Sequence, residues 1–395
     1  MGSDPFLVFK SKRDLVTLEW ASGETESIKG NPFLVLKELL KKFKSKKGMA
    51  VGYFGYDMKD FLEQLPDIAA DDIGIPDCIV GFYDEIAVYD KEAASPPPAW
   101  PPRDGNGTGE RPELKSNFSK EDYIKAVKKA KEYIVKGDIY QVNLSQRFES
   151  RLDMAPYELY LRLRDSSPAP FSSYLNFGDC TVISSSPERF LMKRGSYIET
   201  RPIKGTRPRS SDPLIDEFNE KELIESYKDK AEHIMIVDLE RNDLGRICEY
   251  GSVKPTEFIA LEKYSTVFHL VSTVSGKLKE GVDPVDCLMA TFPGGSITGA
   301  PKIRSMEIIE ELEPVKRAIY TGAIGYISFD GDMDMSIVIR TILVKGNKLY
   351  FQVGGGIVAD SDPEREYYET LDKAEGIMRA LYAEDMDKRK ACISR

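Results

Sequence analysis

The chain comprises 395 residues, 41% hydrophobic and 30% charged, with a formal net charge of −10. That apolar content supports a sizeable core and excludes a disordered chain, and the acidic balance excludes general nucleic-acid binding, which relies on Lys/Arg contacts to phosphate. Five scattered cysteines with no Cys-x-x-Cys, two histidines and no apolar run near the ~18 residues of a membrane helix exclude a zinc ribbon, a disulfide framework, a His-rich metal site and a helical membrane span. The N-terminal MGSDPFLVFK lacks the apolar segment of a signal peptide, and the expected compartment is reducing cytoplasm.

In chain order, residues 6–20 alternate loosely and predict two short strands around Ser11-Lys12-Arg13. Residues 32–43 have helical apolar spacing and a Lys-rich end that suits a helix C-terminus. Residues 49–56 and 78–89 read as strands. The run 95–112, SPPPAWPPRDGNGTGERP, is too rich in Pro and Gly for a helix or central strand and predicts a linker. It divides the chain into an N-terminal region, 1–94, and a larger region, 113–395. Ser119 followed by Asp122 starts a helix over 120–136, and a strand over 139–149 and a helix over 156–164 follow. Strand-like runs occupy 171–177, 180–185 and 189–193, and a long charged helical region covers 212–242. Strands near 267–276, a helix at 284–290, a glycine-rich turn at 293–299 and a helix at 301–312 come next. Strands at 320–329, 334–344 and 348–353 and a final helix at 363–383 complete the chain. Antiparallel-looking strands between helices predict an α+β or mixed-layer fold rather than a βαβ repeat, and no internal repeat is visible.

Several stretches carry candidate chemistry. Lys204 stands between Pro202-Ile203 and Gly205-Thr206, with Arg201, Arg207 and Arg209 close in sequence. Nearby cations and partial burial both disfavour an ammonium, so Lys204 is a candidate neutral nucleophile; the plainer reading is a basic surface turn. On the final helix Glu366, Glu369 and Lys373 share one arc, apart from the packing stripe of Tyr367, Leu371, Ala374, Met378 and Leu381. Two carboxylates one turn apart suit a hard cation such as Mg²⁺, or form a solvated face with a Glu369–Lys373 pair. Just before it, Gly354-Gly355-Gly356 either brings backbone N–H groups close to a ligand or makes a tight turn. Residues 292–302 form a second glycine-rich turn entering a helix at Pro301, suited to a carboxylate or other anion. It is no P-loop, since Ala300 stands where lysine is required. Within 229–247 Glu232 is a candidate for the cation site, whereas Asp238, Arg241 and Asp243 read as structural ion pairs. Glu188 alone reads as a surface carboxylate and His269 as a core histidine. No Gly-x-Ser-x-Gly, His-Glu-x-x-His or Gly-x-Gly-x-x-Gly occurs, which removes the common hydrolase, zinc-protease and dinucleotide readings.

Taken together, IYQVNLSQRF (139–148), SSSPERF (184–190), TRPIKGTRPR (200–209), AEHIMIVDLERNDLGR (231–246), FPGGSITGAPKIRSMEIIEELEP (292–314), TGAIGYISF (321–329), IRTI (339–342) and VGGGIVADSDPEREYYETLDKA (353–374) resemble the chorismate-utilising enzymes. These are the anthranilate, aminodeoxychorismate, isochorismate and salicylate synthases. The resemblance covers 113–395, with a weaker echo in GYFGYD at 52–57. It is closest to the aminodeoxychorismate-forming branch, which reads Pro-Ile-Lys-Gly-Thr around Lys204 where anthranilate synthases have Ala. Isochorismate and salicylate synthases carry a water-activating Lys where this chain has Gln141, so amination is favoured over hydration.

The resemblance implies two large packed antiparallel sheets with helices outside and the site between them. It implies amination of chorismate at C4 by ammonia, in the supply of 4-aminobenzoate for folate. Glu232 and Glu369 would hold Mg²⁺, with Glu366 close by through water. Glu188 would be the general acid for the departing 4-hydroxyl, and Lys204 would attack C2 before ammonia attacks C4 and expels it. Arg340, Tyr320, Gly356 and Lys373 would grip the substrate carboxylates, Ser296 would line the pocket and His269 would sit beside the ring. A separate glutamine amidotransferase subunit, component II, would supply ammonia. The N-terminal region departs from the family, with no clear match to the segment that binds regulatory tryptophan in relatives. The alternatives are anthranilate synthesis, which Lys204 opposes, and a catalytically silent chorismate-binding subunit, which the intact Glu188, Lys204, Glu232 and Glu369 set opposes.

Overall fold

The computed structural model describes residues 2–44, 46–88, 113–264 and 267–382. The linker predicted at 95–112 lies outside the described residues. The predicted N-terminal hairpin is β1 (Leu7–Lys12) and β2 (Leu15–Trp20), and a further strand, β3 (Thr25–Lys29), extends it. Helix α1 (Pro32–Phe43) begins where the Asn31 side chain accepts from the Phe33 N–H, with Pro32 at its first position. Its buried Phe33, Leu36, Leu39 and Phe43 form one face, as the spacing requires. Strands β4 (Met49–Phe54) and β5 (Cys78–Tyr83) follow.

Next come β6 (Lys115–Ser116), α2 (Lys120–Lys136), β7 (Gln141–Arg151), α3 (Pro156–Ser166), β8 (Phe171–Asn176), β9 (Thr181–Ser186), β10 (Arg189–Arg194), β11 (Tyr197–Arg201) and β12 (Ile203–Pro208). The charged region expected as one helix is two, α4 (Pro213–Glu225) and α5 (Tyr227–Gly245). Ser226 leaves the helical conformation between them and accepts from the Asp229 N–H, so one residue ends the first helix and caps the second. Strand β13 (Lys254–Lys263) is exposed along half its length and was not expected from its pattern. The chain ends with β14 (Val267–Lys277), α6 (Pro284–Thr291), β15 (Gly299–Ala300), α7 (Lys302–Leu312), β16 (Ala323–Ser328), β17 (Met333–Ile337), β18 (Thr341–Lys345), β19 (Lys348–Ile357) and α8 (Pro363–Leu381).

These strands form two antiparallel sheets. A twelve-stranded sheet runs β12-β14-β11-β10-β17-β16-β4-β5-β1-β2-β3, with β13 added on β14. A seven-stranded sheet runs β15-β7-β19-β18-β9-β8, with β6 added on β7. They pack face to face through Tyr53, Ile79 and Ile324 of the first and Val182 and Leu343 of the second. The other face of the large sheet is covered by α1, α5 and α6 through Leu36, Val237 and Leu288. The other sheet is covered by α3 and α8 through Leu159, Leu163, Ala374 and Ile377. The described residues of the N-terminal region share their core with the rest of the chain. Strand β4 pairs with β16 from Met49↔Ser328 to Phe54↔Ala323, and Leu7 and Phe9 share one cluster with Leu191 and Val274.

Two short connections without a helix pass directly from sheet to sheet among the described residues. Ser186-Pro187-Glu188 joins β9 of the small sheet to β10 of the large one, and Val338-Ile339-Arg340 joins β17 to β18 in the opposite direction. The crossings lie side by side: Ile337 N–H donates to the Glu188 carbonyl at 3.0 Å and Ser185 N–H to the Arg340 carbonyl at 3.1 Å. The run expected as one strand over 334–344 is therefore two strands in different sheets. Arg340 breaks it by adopting a positive φ of 49°.

Candidate active site

The double crossing places Glu188 and Arg340 between the sheets. Lys204 reaches them from β12, opposite Leu270 of β14, where the pairing shifts register at Gly205. Gly205 has a φ of +80°, and a Cβ there would stand 2.9 Å from Leu223 and 3.2 Å from Asp229. The bulge thus requires glycine for both conformation and space.

Lys204 Nζ donates to the Ser296 carbonyl at 3.0 Å. The Ser296 hydroxyl donates to Glu188 Oε1 at 2.6 Å, and Ile203 N–H approaches the same oxygen at 3.4 Å. One serine in the buried turn Gly295–Ile297 therefore links the amine to the carboxyl. Burial pulls the Lys204 ammonium below the ordinary lysine range, against the opposing pull of Glu232 and Glu188. Burial pushes Glu188 up, against Ser296, Lys204, the Ile203 amide and Arg340. Burial thus disfavours the charged form of both the amine and the carboxyl.

The expected cationic surround of Lys204 is not formed. Arg201 pairs with Glu257 and Glu262 of β13, Arg207 with Glu222 of α4 and Asp229 of α5, and Arg209 with Asp216 of α4. Each arginine is paired with carboxylates of neighbouring elements, and desolvation is the leading cause of the lysine shift. The cation whose charge adds to it is Lys373 of α8.

Arg340 is mostly buried, and its guanidinium has no ion pair or hydrogen bond to any described residue. Burial lowers its pKa and Glu188 opposes that. His269 lies on β14 with Nδ1 2.9 Å from Thr206 Oγ1 and Nε2 buried without a partner. Burial, then the nearby Arg340, push His269 down to about 4, so the ring is neutral. Tyr320 sits in the loop between Ala318 (φ +51°) and Thr321 (φ +61°), and burial raises its hydroxyl. Gln141 is fully buried and neither of its amide atoms has a partner.

The three glycines, expected either to bring backbone N–H groups close to a ligand or to make a tight turn, lie inside β19, paired with β7. Their role is spatial: a Cβ on Gly356 would stand 2.2 Å from Gln141 Nε2, and one on Gly355 3.1 Å from Glu366 Oε2 and 3.6 Å from Glu369 Oε1. The second glycine-rich turn is likewise occupied by the protein, since Gly295 N–H donates to Glu240 Oε1 at 3.0 Å. The expected ion pairs are present: Arg241 meets Asp238 at 3.0 Å, and Asp243 pairs with Lys302 of α7.

Acidic side chains converge on the other side. Glu366 is buried, Oε1 accepts from Ser361 at 2.6 Å, and Oε2 has no partner. Burial raises Glu366 and Glu232, and the Glu369 charge adds to both. Glu369 is half-exposed and held down by Lys373 at 2.7 Å, which also donates to the Gly354 carbonyl at 3.0 Å. Among the described residues no group of three or more His, Cys, Asp or Glu forms a ready-made metal cage. The orphaned buried Oε2 of Glu366, with the Glu369 charge acting on it, is an oxygen ligand of the kind a hard cation that keeps several waters accepts. Two supporting residues were not singled out from the sequence: Thr206 orients His269 and Ser361 orients Glu366. Ser361, five residues before Glu366 in the helix-capping segment, was the more legible of the two.

Residues 12–379 match the family of chorismate binding enzymes. Anthranilate synthase component 1 of Acetivibrio thermocellus is 40% identical, with 96% of this chain and 86% of that protein covered. Aminodeoxychorismate synthase component 1 of Bacillus subtilis (strain 168) is also 40% identical, covering 96% and 88%. Among solved structures, anthranilate synthase component I from Streptococcus pneumoniae TIGR4 superposes with a TM-score of 0.82 at 32% identity, covering 96% of this chain and 91% of that one.

Proposed function

The chain belongs to the chorismate-binding enzyme family, and from that premise we propose that it aminates chorismate at C4 with ammonia, giving 4-amino-4-deoxychorismate through a covalent intermediate on Lys204. The observation that carries this reading is the Lys204–Ser296–Glu188 chain of contacts. It joins a nucleophile whose charged form is disfavoured to an acid whose neutral form is favoured.

In the first half, neutral Lys204 forms a bond to ring C2 as both ring double bonds shift and the C4–O bond breaks. Glu188 gives its proton to the departing hydroxyl, which leaves as water. In the second half, ammonia bonds to C4, the electrons shift back and the C2–N bond to Lys204 breaks. The Glu188 carboxylate then takes the surplus proton from the new ammonium, and both residues return to their starting states. Arg340, whose guanidinium has no partner among the described residues, grips a substrate carboxylate, with Tyr320, Lys373 and the backbone at Gly356. Gln141 offers its unpaired amide, and neutral His269 packs beside the ring without adding charge. Glu232, Glu366 and Glu369 are the residues that would hold Mg²⁺. Bound there, the ion would neutralise and orient a ring carboxylate.

Ammonia comes from a separate glutamine amidotransferase subunit, component II, in this reading. The relatives are called component 1. The four described cysteines are buried, and burial raises Cys180 and Cys248 to about 11 and Cys287 to about 12. That is the reverse of an activated thiolate.

The relatives divide between two products at equal identity, so product analysis decides. Incubation with chorismate, Mg²⁺ and an ammonium salt should give aminodeoxychorismate. Fluorescent anthranilate would establish the alternative amination, and unconverted chorismate would establish a silent subunit.

A further inference from the structure

The proposed reaction depends on Ser296 standing between Lys204 and Glu188, yet its turn is only three residues long. We propose that Arg317, clamped by Glu313, is a positioning residue that holds this turn in register with the rest of the site. This inference rests on the functional reading above.

Arg317 and Glu313 have side-chain exposures of 1% and 2%. A guanidinium has five N–H donors and no acceptor, and here all five are used. Nε donates to Glu313 Oε2 at 2.9 Å. Nη2 donates to Glu313 Oε1 and to the Asn143 carbonyl, each at 2.7 Å. Nη1 donates to the Ile297 carbonyl at 3.1 Å and to Thr321 Oγ1 at 3.2 Å. Glu313 Oε1 also accepts from the Ser145 amide at 2.9 Å and hydroxyl at 2.7 Å. The guanidinium lies 4.9 Å from the Tyr56 ring and 5.6 Å from the Tyr320 ring.

Each acceptor other than Glu313 belongs to a segment carrying a site residue. Ile297 follows Ser296, Asn143 lies two residues beyond Gln141 on β7, and Thr321 follows Tyr320. The pair therefore ties these three segments together at one buried point, adding to the Asn143 N–H bond to the Thr298 carbonyl, at 2.8 Å, that joins β7 to the residue after the turn. Glu240 holds only the far end of the turn, at Gly295. Lysine cannot replace this arrangement, because a point charge with three donors cannot reach acceptors in several directions from one plane. The pair touches no substrate-binding atom directly, so its effect must pass through Ser296 and Tyr320.

The test compares wild type, Arg317→Lys, Ser296→Ala and the double variant. It reads kcat with chorismate and ammonium, and hydrogen exchange in the 292–300 peptide against the β14 peptide. In Arg317→Lys the turn should exchange at least ~10-fold faster while β14 stays protected, and kcat should fall about 100-fold, as expected for a misplaced catalytic group. In the Ser296→Ala background the same substitution should cost at least ~10-fold less, since the two act through one turn. Unchanged turn exchange, or effects that simply multiply, would overturn the clamp. If Arg317→Lys loses protection throughout, the measurements pass to the paired variant Arg317→Met with Glu313→Leu. That variant removes both charges together and leaves neither buried alone. Should the wild type leave chorismate untouched, the functional reading fails by itself, and the exchange measurement still decides the clamp.

Discussion

Lys204→Ala is the most direct perturbation of the proposed chemistry. The side chain makes one hydrogen bond, to the Ser296 carbonyl, and its charged form is held in a desolvated setting. Losing the bond costs about 1 kcal/mol, and relief of the buried charge offsets part of that. The melting temperature should therefore move by no more than about 3 °C. The reaction loses its nucleophile. A drop of about 10³-fold or more in turnover, about 4 kcal/mol of barrier, is expected. The assay is chromatographic product analysis with chorismate, Mg²⁺ and ammonium, together with intact mass after acid quench. Wild-type protein should carry a species heavier by chorismate less water, and the variant should not. A folded variant with unchanged turnover would refute the covalent role and leave Glu188 as a simple acid for direct attack.

Activity should require Mg²⁺, and Glu369→Gln should raise the concentration needed; full activity in excess EDTA would remove the metal from the scheme. The purified chain should use ammonium at alkaline pH, where NH₃ is abundant, but not glutamine until its partner is added. Steady glutamate release by the chain alone, abolished by mutating one of its cysteines, would contradict this. Stability should fall in acid because of two neutral buried histidines, His233 on α5 and His269. Both have folded values near 4 against an ordinary 6.5, so the unfolded chain binds more protons between those pH values. Each contributes stability that is present above 6.5 and lost as pH falls toward 4, about 3 kcal/mol per histidine. Denaturant titrations across that window should show it, with His233→Asn removing about half of the histidine-linked loss; an unchanged slope in that variant would reject the assignment.

The strongly patterned helices were legible, because caps and apolar spacing are local: Asn31, Ser119 and Asp362 each accept a backbone N–H where the helix begins. Lys204, Glu188 and Ser296 were legible as members of motifs, but their connection through a single serine was not. The charge around Lys204 was misread for a physical reason. Arg201, Arg207 and Arg209 are close to Lys204 in sequence, but their partners come from α4, α5 and β13. The glycines at 354–356 suggest close approach to a ligand or a tight turn, and local sequence cannot show that the Gln141 side chain lies where a Cβ of Gly356 would stand or that Glu366 crowds that of Gly355. The break at Arg340 lies inside an apolar run with no Pro or Gly to mark it.

The pairing of β4 with β16 has a consequence for how the gene product can be divided. A fragment starting after the linker would leave the β16 edge bare over the six residues that meet β4, a ready template for intermolecular strand pairing. It would also strip apolar cover from Met333 and Met335 of the neighbouring strand, which share a cluster with Phe54 and Phe82. Such a fragment belongs with split proteins rather than with isolated domains. It should gain solubility and folding from the N-terminal piece supplied in trans, because the missing portion is not an appendage but the middle and far edge of a single hydrogen-bonded surface.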